Sequence, residues 1–138
     1  MSEPPAAAMP KATPAESSRT PQKAAYYYKV RWGFQHEFER LFFKNHYPVL
    51  MAQKEAGRIK DVEILRPTFH GDGRADWTFE VLITFSDWAA FHPAPADEEA
   101  ISKRLFADQE AYKRREQRRF ELLDAHWDVA LTPVLPPE

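Results

Sequence analysis

The chain has no cysteine, only four glycines, no long apolar run and no marked excess of charge of either sign. Without cysteine there is no disulfide scaffold and no zinc ribbon, and the redox compartment stays open. No stretch reaches the ~18 apolar residues of a membrane-spanning helix, and the first residues lack the apolar core of a secretory signal. The expectation is a soluble cytoplasmic protein with no membrane partner, or a periplasmic or secreted one if a signal has been removed. Nineteen Lys and Arg stand against 21 Asp and Glu, a formal charge of -2. Nothing in that balance draws the protein to nucleic acid, so a charge-driven partner would need a local patch.

What the sequence has in quantity is aromatic: 4 Trp, 5 Tyr and 10 Phe in 138 residues. Residues 1–24 hold none of them. That segment carries Pro4, Pro5, Pro10, Pro14 and Pro21 among many alanines, buries too little to offset chain entropy, and reads as a disordered tail. The aromatics crowd into one domain, residues 25–135. A large-residue core, an oligomeric interface and an aromatic-lined pocket each account for them.

Periodicity divides this domain into six elements. Residues 25–32 (AYYYKVRW) read as a strand ending at Gly33. Phe38, Leu41, Phe42, Asn45, Val49, Leu50 and Ala56 recur at helical spacing, with a kink or restart at Pro48, which cannot bond the Lys44 carbonyl. Residues 59–66 form a second strand, 67–75 a turn around Gly71-Asp72-Gly73, and 76–85 (DWTFEVLITF) a third strand. A short helical turn after Ser86-Asp87 precedes one long helix over 97–123, and 127–134 is the last strand. The order β-α-β-β-α-β predicts an α+β, ferredoxin-like fold: a four-stranded antiparallel sheet with helices on one face. Alternation puts Tyr28, Val30, Trp32, Trp77, Phe79, Val81, Ile83 and Phe85 toward the helices. Tyr27, Lys29, Arg31, Asp61, Glu63, Leu65, Glu80, Leu82, Asp128, Ala130 and Thr132 fall on the other face.

The run Phe38-Glu39-Arg40-Leu41-Phe42, then Asn45-His46-Tyr47-Pro48-Val49-Leu50, then Ala56-Gly57-Arg58-Ile59 resembles the F…HxPL…G pattern of EthD-like proteins in the dimeric α/β-barrel superfamily. The resemblance covers about residues 26–134 in element order. It implies a homodimer in which two sheets face each other, and a small pocket between the sheet and the first helix of each subunit. Superfamily members include cofactor-free monooxygenases, lactone isomerases, polyketide cyclases, haem-degrading enzymes and proteins without known activity, so fold analogy alone selects no reaction. In several of these enzymes a histidine of the first helix is an acid or base; by motif position that residue is His46.

His46 beside the Pro48 break is therefore the candidate catalytic residue, since an imidazole exchanges protons near neutral pH. Capping or packing at the break is the competing reading. Tyr28, Trp32, Tyr47 and Trp77 are the candidate ligand-binding residues for a small apolar or aromatic molecule. A Tyr28 merely bonded to a backbone carbonyl competes with an acid-base role beside His46. His70-Gly71-Asp72-Gly73-Arg74 lacks a third metal ligand and phosphate-loop spacing, so no metal is expected. Haem enters only through superfamily analogy, with no local motif, and otherwise no cofactor is expected. The basic run 113–119 (KRREQRR) would suit RNA, but the third strand lacks the RNA-recognition signature. A solvated helix face with Glu110, Glu116 and Glu121 in i,i+3 or i,i+4 reach accounts for it better.

Overall fold

A computed structural model of the chain describes residues 20–69, 76–92 and 94–137. The strands are β1 (Gln22–Val30), β2 (Ile59–Leu65), β3 (Phe79–Phe85) and β4 (Leu123–Leu131). They form one antiparallel sheet in the order β2-β3-β1-β4. Helix α1 (Gln35–Leu41) runs through a π turn (Phe42–His46) into α2 (Tyr47–Glu55). The short α3 (Trp88–Phe91), then α4 (Pro95–Leu105) and α5 (Gln109–Glu121), follow β3. This is the predicted α+β ferredoxin-like fold.

One sheet face packs on the helices. Phe79 at the centre meets Phe38 at 5.3 Å and Phe42 at 4.8 Å, and Tyr28 meets Phe38 at 5.2 Å. Val30, Val81, Ile83, Phe85, Leu50 and Leu122 belong to the same buried core, with Ala24, Ile59 and Ala90. Each such side chain contributes roughly 1.5–3 kcal/mol by leaving water, so the β-period of the strands and the helical period of α1 and α2 are satisfied against one another. At the end of α2 the Gly57 N–H bonds the Lys54 carbonyl and the Arg58 N–H bonds the Gln53 carbonyl, both at 3.0 Å. Gly57 has φ +84°, which makes this a Schellman cap that turns the chain straight into β2.

Several expectations are corrected. Strand β1 begins at Gln22, so residues 22–24, expected in the tail, belong to the sheet; residues 1–19 of that expected tail and the Gly71-Asp72-Gly73 turn lie outside the described residues. The expected long helix is two helices. The Asp108 carboxylate accepts the Ala111 N–H at 3.0 Å and caps α5, while the Gln109 amide donates to the Ser102 and Phe106 carbonyls at 3.1 and 2.7 Å at the end of α4. Strand β3 starts at Phe79 rather than Asp76. The Thr78 hydroxyl accepts the Val30 N–H at 2.8 Å, and this side-chain substitution for a ladder bond lets Trp77 leave the helix side. Trp77 instead packs on Tyr27 at 5.4 Å.

The parity of β4 is also the reverse of the expected one. Tyr27 pairs with Trp127 and Tyr26 with Asp128, and residues opposite one another share a face. Asp128 and His126 therefore lie on the helix side. Trp127, Val129 and Leu131 lie on the other face, 36 to 39% exposed, beside Tyr27, Trp77 and Leu82. That face is thus more apolar over β1 and β4 than alternation had indicated, with Asp61, Glu63 and Glu80 over β2 and β3.

Gly57→Ala is expected to lose about 1–2 kcal/mol, the cost of a left-handed backbone for a residue with Cβ. A Cβ there meets no atom within 4 Å, so the urea midpoint reads backbone strain alone. An unchanged midpoint would contradict the cap.

Candidate functional site

A cleft of about 780 Å³ opens between the sheet and the helices. Its floor is Tyr26, Tyr28, Val81, Ile83 and Phe85; α2 supplies Val49, Leu50 and Gln53; α4 and α5 supply the far wall, including Ser102, Tyr112 and Glu116. His46 lines it where α1 meets α2. Proline at 48 has no N–H to close the next helical turn, and the chain widens instead: the Tyr47 N–H reaches back five residues to the Phe42 carbonyl. The extra residue in this π turn rotates both Asn45 and His46 inward.

Asn45 is fully buried and fixes the turn to α5. Its amide donates to the Glu116 carboxylate at 2.8 Å and the Tyr112 carbonyl at 3.2 Å, and its oxygen accepts from Arg115 at 2.9 Å. Glu116 also accepts two hydrogen bonds from Arg119, at 3.1 and 2.9 Å. Arg119 is 1% exposed, with its guanidinium over the Phe120 ring at 4.5 Å. The basic run is therefore largely absorbed by the fold. Arg118 makes a two-point pair with Glu37 at 2.9 and 3.1 Å, and Arg119 is a core residue rather than part of a solvated face.

These charges set the protonation states. Burial first, and the Arg119 charge second, lower the His46 pKa from 6.5 to about 4 against the opposing pull of Glu116. Burial penalises the Glu116 carboxylate, but the Arg119 and Asn45 hydrogen bonds outweigh it and hold the group below the usual carboxylate range. Burial, then the Asp128 charge, pushes Tyr26 up to about 12, and burial raises Tyr28 despite the opposing Arg119. At neutral pH the cleft presents a neutral imidazole beside the Glu116 carboxylate, with Tyr26, Tyr28 and Tyr112 as protonated phenols. The imidazole can accept a proton from a bound molecule, the phenols can donate hydrogen bonds to its oxygens, and the Glu116 charge favours the imidazolium that results.

Of the residues singled out from sequence, His46 and Tyr28 come together in the cleft. Tyr28 is stacked at 4.2 Å on His126, whose Nδ1 lies 2.8 Å from the Tyr27 carbonyl. The other three are elsewhere. Trp32 is 72% exposed at the turn after β1, Tyr47 packs on Phe43 at 5.3 Å, and Trp77 is on the opposite sheet face with Tyr27. Sequence reasoning missed Asn45, Glu116 and Arg119 as a unit. The available signal was the lone Glu116 inside a basic run, one helical turn from Arg119. Among the described residues no group of three His, Asp or Glu side chains could hold a metal ion, and no helix is long and apolar enough to cross a membrane.

No family model and no curated protein sequence matches the chain. Solved structures do resemble it. A dimeric ferredoxin-like protein from an uncultured marine organism has a TM-score of 0.57 at 6% identity, over 89% of this chain and 98% of its own. A hypothetical protein of Arabidopsis thaliana gives 0.56 at 14% identity, over 89% and 96%. A protein from Bacteroides thetaiotaomicron, named as an antibiotic biosynthesis monooxygenase, gives 0.51 at 8% identity, over 86% and 94%. At such identities the likeness is one of fold.

Glu116→Ala is expected to destabilise the chain by about 3–5 kcal/mol, because Arg119 is left charged and buried without its carboxylate. Chemical denaturation reads this directly, and a loss under about 1 kcal/mol, the range of an exposed pair, would show that Arg119 is not held in the core.

Proposed function

We propose that the chain is an EthD-like homodimer of the dimeric α/β-barrel superfamily that binds a small apolar or aromatic molecule in the cleft. In this reading His46 is the proton-exchanging group of a reaction needing no resident cofactor: isomerisation, cyclisation or quinol-type oxygenation. The observation that carries it is the cleft itself, with an apolar floor and a neutral His46 on its wall. A non-catalytic module, the alternative, calls for a filled interior and a His46 held by backbone. Support for the dimer comes from the outer sheet face, where Tyr27, Trp77, Trp127, Val129 and Leu131 make an apolar surface suited to a second sheet. One structurally similar protein is described as a dimer, and another carries a monooxygenase name.

Native mass spectrometry of the protein from its own host tests both parts. Two subunits with a retained small molecule are expected. Trp127→Glu should give monomers with an unchanged circular dichroism spectrum, and His46→Ala should keep the dimer while losing the molecule. A monomeric wild-type protein would remove the barrel, and binding and activity unaffected by His46→Ala would remove His46 from the site.

A further inference from the structure

The end of the cleft formed by the α2–β2 junction holds a cation that no side chain among the described residues answers. Arg58 lines the cleft. Its backbone is pinned by the Schellman cap on one side and by the Ser86 N–H, which donates to the Arg58 carbonyl at 2.8 Å, on the other. Its Nη2 donates to the Ala90 carbonyl at 3.1 Å, which fixes the guanidinium. The Nε and Nη1 atoms are buried and have no hydrogen-bond partner. None of the ion pairs among the described residues involves Arg58. The carboxylates of the lining are directed elsewhere or exposed: Glu99 holds Lys103 at 2.8 Å, Glu116 holds Arg119 and Asn45, and Glu98 is exposed on α4.

Buried guanidinium donors are costly unless a counter-charge meets them. A guanidinium is always charged, so the site cannot relieve itself by losing a proton as a buried lysine does. Leu50, Ile83 and Phe85 line the same cleft as Arg58 and His46, with Gln53 the polar residue that α2 adds.

We infer that Arg58 is the anion-recognising residue of the cleft, and that its ligand is a small apolar molecule bearing one carboxylate. The carboxylate lies at Arg58, the hydrocarbon or aromatic body lies along the sheet, and the far end is presented to His46. This inference rests on the cleft being a ligand site, and it adds the class of ligand.

Isothermal titration of the full chain at neutral pH with phenylacetate and its uncharged isostere phenylacetamide tests it. Phenylacetate should bind about tenfold or more tightly than phenylacetamide, the difference expected of a charge-assisted contact. Arg58→Gln should remove that preference, bringing the two affinities within about twofold of each other, a difference under 0.5 kcal/mol. Arg58→Lys, which keeps the charge if the Gln variant fails to fold, should retain part of it. Equal binding of the two probes to the wild type would overturn the role of Arg58 and leave the cleft a ligand site. A preference that persists in both variants would overturn it as well. Binding of neither probe by the wild type would overturn the ligand class.

Discussion

The carboxylate of Glu116 is the interaction on which the arrangement of the molecule depends. It receives hydrogen bonds from Asn45 on the π turn and from Arg119 on its own helix. One charge thereby neutralises a buried guanidinium and ties the first helical layer to the second across more than seventy residues of sequence. Two helices packed on a sheet by apolar contacts alone could slide over one another with little loss. A buried ion pair with a third, directional partner admits one position, because a shift would strand Arg119 uncompensated. The wedge left between α2, α4, α5 and the sheet stays open for the same reason.

That lock also explains why His46 faces the cleft. In an uninterrupted helix the residue after Asn45 would point about 100° away from it, toward the side of the helix. The π turn enforced near Pro48 brings both inward, so one backbone irregularity supplies the anchoring amide and the neutral imidazole side by side. The protonation pattern is then a consequence of geometry. Burial first, and then the same Arg119 that needs Glu116, keeps a proton off His46, and the carboxylate is near enough to favour a proton that arrives with a ligand. The apolar sheet floor limits how much water shares the space with these groups.

Much of this was legible in sequence where the signal is periodic. The alternation of Val81, Ile83 and Phe85, the stripe of Phe38 and Phe42, and the α2 end at Gly57 all lie where their patterns place them, because burial enforces period and caps have few solutions. His46 and Tyr28, singled out by position beside Pro48 and on the inner face of β1, both line the cleft. The failures have local causes. Trp77 left its expected face because a Thr78 hydroxyl stood in for a backbone bond. The parity of β4 is set by pairing with β1 just after Leu122, which alternation within residues 127–134 does not reveal. Asp108 split a helix whose stripe looked continuous. Arg119 and Glu116 read as a surface pair because no one-dimensional pattern shows that the helix turns this charge inward, and Arg58 carries no sequence signal beyond following Gly57.

The protonation state of His46 joins the π turn, the buried ion pair and the cleft in one observable. A pH titration of the His46 ring resonances by nuclear magnetic resonance, assigned with His46→Gln, measures it. The imidazole is expected to stay neutral through pH 6 and to take its proton only near pH 4. Titration at the ordinary histidine value of about 6.5 would contradict this, since it would place His46 in open solvent, away from the cleft and from Arg119.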